Sequence, residues 1–175
     1  MRLVINDNTA TTGIQLYQDY ANARKVENNV FENIYIGHWN LENIQRTNEN
    51  FVGIELKQTQ YSNVGYNKFN NISLQSLYTG IIFTTDGITS SWDHDDDPTT
   101  PAIVALTNNL NDNIFENISI KDVTKGILFK ASSSNPSFMP RVDYNTFQNI
   151  AMQTSTWTTN FIENVSGEMN YFNNN

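Results

Sequence analysis

The segment Ser90-Ser91-Trp92-Asp93-His94-Asp95-Asp96-Asp97-Pro98 crowds four carboxylates and an imidazole beside an indole. Oxygen ligands on a loop suit a hard cation, so Asp93, Asp95 and Asp97 are candidate calcium ligands. The spacing is not that of an EF-hand, whose Gly and terminal Glu are missing. The same residues suit a second chemistry. A glycosidase needs two carboxylates about 5–10 Å apart. Asp93, Asp95 and Asp96 are therefore candidate catalytic groups, with Trp92 as a stacking face for a sugar ring. A third reading needs no ligand: a solvated acidic loop ended by Pro98 and Pro101.

His38 and Trp39 open another long connection and carry the same ambiguity. They suit a proton carrier and a sugar platform, or a tryptophan packed over an edge of the fold. Tyr144 and Trp157 invite the same pair of readings. Glu32, Glu116 and Glu163 recur at one place in a repeat, with Asn70 and Gln148 between them. Stacked carboxylates raise one another's pKa, which general-acid catalysis exploits. The neutral residues that interrupt this row favour an ordinary solvated face.

Those residues have to be positioned by a repeat. Asn29-Val30-Phe31-Glu32-Asn33-Ile34-Tyr35-Ile36 recurs as Asn67-Lys68-Phe69-Asn70-Asn71-Ile72-Ser73-Leu74. It returns as Asn113-Ile114-Phe115-Glu116-Asn117-Ile118-Ser119-Ile120 and as Asn145-Thr146-Phe147-Gln148-Asn149-Ile150-Ala151-Met152. Weaker echoes stand at Asn160–Val165 and Asn170–Asn174. A shorter motif follows most copies: Gly53-Ile54-Glu55-Leu56, Gly80-Ile81-Ile82-Phe83 and Gly126-Ile127-Leu128-Phe129. Gly13-Ile14-Gln15-Leu16 precedes the first octet.

Within each motif apolar and polar residues alternate, which is the period of a half-buried strand. The alternation breaks at the second Asn of the octet. Phe69 and Leu74 both point inward only if a tight bend near Asn71 resets the phase. Asn suits such a bend because it tolerates the left-handed conformation. The glycine of the shorter motif marks a second expected bend. Repeated strand–bend–strand units imply stacking. The expected fold is an all-β parallel β-helix in a single domain over 1–175. Asn33, Asn71, Asn117 and Asn149 would form a ladder of side-chain amides, and Phe31, Phe69, Phe115 and Phe147 an internal stack. Long loops are expected over 37–50, 84–111 and 131–144. Ile82 and Leu128 fall at outward positions, which calls for cover by a loop or a partner chain.

Composition narrows the function classes. Aromatic residues reach 12%, too many for a disordered chain of this polarity. The formal net charge of −8 repels phosphate backbones, so no nucleic-acid partner is expected. There is no cysteine, hence no disulfide, thiolate metal site or cysteine nucleophile. The opening Leu3-Val4-Ile5 is too short for a signal peptide or a membrane span. That fits a protein cytosolic as made (a virion protein released by lysis is one), a fragment, or a protein exported without a Sec signal. The three Asn-x-Ser sequences at Asn71, Asn117 and Asn164 belong to the repeat and are not read as glycosylation sites.

Asn-x-Phe-x-Asn-Ile-x-Ile followed by Gly-Ile-x-Leu resembles the repeat of pectin-lyase-like right-handed parallel β-helix proteins. That group includes phage tailspikes and preneck appendages, pectate lyases and polygalacturonases. The resemblance runs from Gly13 to Val165 and concerns the scaffold, not the activity. The polygalacturonase patterns Asn-Thr-Asp, Gly-His-Gly and Arg-Ile-Lys are missing. Arg2, Arg24, Arg46 and Arg141 sit in no recognisable lyase motif. What the resemblance implies is a tailspike or appendage module of the virion, otherwise an extracellular protein, that binds a host surface polysaccharide. Cleavage is left open. The implied partners are copies of itself as a trimer, or other virion proteins. No cofactor is required; calcium is the one candidate. A stand-alone polysaccharide hydrolase or lyase, and a non-catalytic structural segment, are the alternatives.

Overall fold

The computed structural model describes residues 2–5, 11–18, 25–38, 49, 51–59, 63–86, 110–132, 142, 144–153, 158–164 and 171–173. Every regular element among them is a β-strand. In chain order these are β1 (Arg2–Ile5), β2 (Thr11–Gln18), β3 (Lys25–Glu27), β4 (Val30–His38), β5 (Phe51–Thr59), β6 (Asn63–Gly65) and β7 (Lys68–Gln75). There follow β8 (Thr79–Asp86), β9 (Ile114–Lys121), β10 (Lys125–Ser132), β11 (Thr146–Gln153), β12 (Asn160–Asn164) and β13 (Tyr171–Asn173).

The chain deals these strands alternately into parallel sheets. One sheet has six strands in the order β1-β4-β7-β9-β11-β13, and a second has five in the order β12-β10-β8-β5-β2. β3 and β6 form a small third sheet. Each strand pairs with its equivalent in the next repeat. Phe31 lies opposite Phe69, Phe69 opposite Phe115, and Phe115 opposite Phe147. In the second sheet Ile14, Ile54, Ile81, Ile127 and Ile162 follow one another in the same way. The expected octet register is therefore present, with parallel pairing throughout.

The octet folds as its composition requires. In β7, Phe69, Ile72 and Leu74 are buried while Asn71 is exposed. The inward phase shifts across Asn70 and Asn71, where Asn71 holds φ 53°. Asn33, Asn117 and Asn149 hold the same left-handed conformation. This is the bend predicted at the second Asn.

The core lies between the two large sheets. Phe31, Phe69, Phe115, Phe147 and Phe172 stack with centroid spacings of 5.0, 4.7, 5.0 and 4.6 Å. Phe83 and Phe129 reach across from the other sheet. Their edges meet Phe115 at 5.6 Å and Phe147 at 6.0 and 5.9 Å.

Inside this apolar space runs a row of amides that the bend argument did not anticipate. Asn67, Asn113 and Asn145, each the first Asn of its octet, are fully buried. Nδ2 of Asn29 donates to Oδ1 of Asn67 at 3.0 Å. Asn67 donates likewise to Asn113 at 3.0 Å, and Asn113 to Asn145 at 2.9 Å. The same Oδ1 atoms accept the backbone N–H of the preceding Asn. The remaining amide protons of Asn67, Asn113 and Asn145 go to the carbonyls of Val26, Val64 and Leu110. Burying an amide is costly unless its bonds are made, and here the repeat makes them.

Two sequence expectations change. The glycines do not form left-handed corners. Gly53, Gly80 and Gly126 sit inside strands, and what they supply is space. A Cβ on Gly53 would lie 2.6 Å from the carbonyl oxygen of Gly80, and one on Gly80 would lie 2.7 Å from that of Gly126. The turns before the Gly80 and Gly126 strands fall instead at Ser76 and Asp122, with φ 56° and 57°. Second, the segment at Asn160 is no octet. β12 pairs with β10, so Phe161 takes the place of Gly126, and Glu163 aligns with Leu128. Glu163 therefore lies on a different sheet from Glu32 and Glu116. Strands also extend into the expected loop ranges, as β4 ends at His38, β8 at Asp86 and β10 at Ser132.

Candidate functional site

The acidic segment with Trp92, Asp93, Asp95, Asp96 and Asp97 lies outside the described residues, as do Trp39 and Trp157. His38 closes β4, but its side chain is likewise outside them. Among the described residues, no group of three or more His, Cys, Asp or Glu side chains is placed to hold a metal ion. Tyr144 is described, and it stands in company that the octet alone did not reveal.

Each ladder Asn, the exposed Asn29 as well as the buried Asn67, Asn113 and Asn145, is preceded by a residue in the left-handed conformation: Asn28, Tyr66, Asp112 and Tyr144, with φ 60°, 56°, 56° and 56°. At Tyr66, Asp112 and Tyr144 the side chain that follows this corner is fully buried. Consecutive corners are stitched together, since the N–H of Tyr66 donates to the carbonyl of Asn111 at 3.3 Å. Asn and Asp accept this conformation readily. A bulkier residue pays about 1–2 kcal/mol for it. Yet Tyr66 and Tyr144 stand there with 53% and 46% of their surface exposed. The row thus reads Asn28, Tyr66, Asp112, Tyr144 along the stack. Asp112 accepts a hydrogen bond from Asn111 Nδ2. The other side-chain atom of that amide, Asn111 Oδ1, is buried with no hydrogen-bond partner among the described residues. Two columns over, Val30 and Ile114 are exposed as well, alternating with Lys68 and Thr146.

A second polar cluster lies at the start of the other sheet. Lys125 Nζ meets Glu163 Oε2 at 3.0 Å, and Asn160 Nδ2 donates to the same oxygen at 3.0 Å. The Asn160 bond, then the Lys125 bond, holds the Glu163 carboxyl below its ordinary pKa. The Glu163 bond pushes the Lys125 ammonium above its own. Tyr78 Oη donates to Glu49 Oε1 at 3.3 Å. Burial first, and the Glu49 charge second, raise the Tyr78 phenol. Acid–base catalysis near neutrality needs shifts of the opposite sense: a carboxyl raised, or a lysine or phenol lowered. This cluster is tuned for ion pairing.

The row Glu32, Asn70, Glu116, Gln148 faces outward on the first sheet. Asn70 separates the two carboxylates and donates to Glu32 at 3.5 Å. Glu116 pairs with Lys68 at 2.9 Å. The outer Asn ladder is present but discontinuous. Asn71 donates to Asn33 at 2.7 Å and Asn149 to Asn117 at 3.2 Å, while Asn117 donates sideways to Asn70 at 2.9 Å. Leu128 is only 7% exposed within this single chain, so its cover comes from the chain itself; Ile82 is half-buried.

Comparison with protein-family profiles, with curated protein sequences and with solved structures gives no match for this chain.

Proposed function

We propose that this chain is a right-handed parallel β-helix that serves as a tailspike- or appendage-type module of a virion and binds a host cell-surface polysaccharide. Support for the helix comes from the alternation of strands between two parallel sheets. A connection between parallel strands of one sheet is right-handed in the great majority of proteins. The octet's resemblance to pectin-lyase-like repeats points the same way.

The functional reading is carried by one observation. The chain between Asp86 and Leu110 inserts Trp92 and the Asp93–Asp97 run between repeats whose register continues undisturbed on either side: Leu74 still faces Ile120, and Phe83 still faces Phe129. Such segments on a rigid scaffold are where binding residues concentrate. Trp92 then offers a stacking face, and the aspartates offer oxygen to sugar hydroxyls or to calcium. Self-association as a trimer belongs to the same proposal.

The test is retention on intact bacterial cells in competition with polysaccharide purified from the same cells. Release by the free polysaccharide supports the reading. Retention that free polysaccharide leaves unchanged contradicts it.

A further inference from the structure

We propose that Tyr66, Asp112 and Tyr144 form a second glycan subsite, for a neutral, hydroxyl-rich chain lying along the stack; this rests on the polysaccharide reading above. The three residues occupy successive corners of one row, just ahead of Asn67, Asn113 and Asn145, whose amides are bonded in series. Adjacent parallel strands lie about 4.8 Å apart. The corners at Tyr66 and Tyr144 therefore stand about 9.6 Å apart along the stack, with the Asp112 corner between them. That is the reach of two linked pyranose rings. Aromatic faces cover the C–H faces of sugars, and phenol and carboxylate oxygens take up the hydroxyl bonds.

Packing does not explain the rings. Both are about half exposed, and both sit where Asn28 shows that a small amide serves the backbone. Strain kept at an exposed position is a mark of function. The net charge of −8 disfavours a polyanionic glycan. A second protein chain is a poorer occupant, because the cores of protein interfaces are depleted of charge. Here Asp112 stands between the rings, and Lys68 and Thr146 interrupt Val30 and Ile114.

The test uses the full chain and its Tyr66→Asn and Tyr144→Asn variants, which give each corner a residue suited to its φ. Affinity is measured for neutral polysaccharides (dextran, pullulan and neutral O-antigen chains) and for polygalacturonate, together with melting temperature and molecular mass. The expected result is binding to a neutral chain, weakened at least tenfold in each variant, with the melting temperature unchanged or raised. Equal binding by the variants, or binding of polygalacturonate alone, overturns the subsite and leaves the polysaccharide reading standing. A lowered melting temperature in both variants overturns it in favour of packing. Self-association that the variants abolish, without glycan binding, assigns the row to contacts between copies and overturns it. Binding of no polysaccharide by the wild type overturns both proposals together.

Discussion

Asn113 and Asn145 are joined twice. The Asn113 side-chain amide and the Asn113 backbone N–H both donate to Oδ1 of Asn145, at 2.9 and 3.1 Å, and all of these groups are buried. Asn67 stands in the same relation to Asn113, at 3.0 and 3.2 Å. Each ladder residue thus ties its own corner to the next, which ties local chain direction to the stacking of repeats.

Removing one member should be costly. Asn113→Ala strands the backbone N–H and side-chain amide of Asn67 and the carbonyl of Val64. At about 1–3 kcal/mol for each unpaired buried group, the loss should reach at least about 3 kcal/mol. Asn117 belongs to the exposed outer row at φ 55°. Asn117→Gly should stay within about 1 kcal/mol of wild type. Urea denaturation of the two variants side by side measures the contrast.

The glycine row predicts a steric effect. Gly80→Ala places a Cβ 2.7 Å from the Gly126 carbonyl oxygen and 3.1 Å from Ile120. Backbone on the neighbouring strand has little room to yield, so a loss of about 1–3 kcal/mol is expected. A drop in melting temperature, with the far-ultraviolet strand signal retained, is the expected observation.

Phe115 touches more rings than the end of the stack does. It stacks on Phe69 and Phe147 and meets the edge of Phe83. Phe115→Ala should cost about 3–5 kcal/mol. Phe172 is 45% exposed, so Phe172→Ala should cost clearly less. Equal losses in thermal unfolding would contradict the assignment of the core.

The Lys125–Glu163 pair predicts a pH window. The Glu163 carboxyl is held below its ordinary pKa, so its contribution is full above the ordinary glutamate range. It fades as pH falls through the lowered value. The Lys125 ammonium is held above its ordinary pKa, so its contribution is full below the ordinary lysine range and is lost as pH rises through the raised value. Both side chains remain partly exposed, so solvent screens the effect and keeps it small. Glu163→Gln should flatten the acid limb of stability against pH, and ~1 M salt should shrink the difference from wild type.

The repeat was legible because Phe31, Phe69, Phe115 and Phe147 recur at one place, and the bend at Asn71 follows from counting inward residues. The buried ladder was harder to see. Both asparagines of the octet recur equally, and periodicity does not say which one turns inward. That depends on the residue before the first Asn, which is Asn28, Tyr66, Asp112 or Tyr144. No common residue type flags the corner, and tyrosine is a poor left-handed residue. The signal available for Tyr66 was its place beside a ladder Asn, matching Tyr144. Glu163 was misplaced because Asn160-Phe161-Ile162-Glu163-Asn164 copies the octet's spelling while its Ile162 pairs with Ile127. There a phenylalanine fills the glycine position of the row. The Asp93–Asp97 run is legible as composition alone, since no repeat position constrains it.

The most direct test of the central claim is incubation with a panel of bacterial surface polysaccharides, with and without calcium, reading binding and chain length together. The proposal predicts saturable binding to at least one of them, weakened when Asp93, Asp95, Asp96 and Asp97 are replaced by Asn. Chain shortening would add cleavage to the binding role, and failure to bind any of them would contradict the proposed function itself.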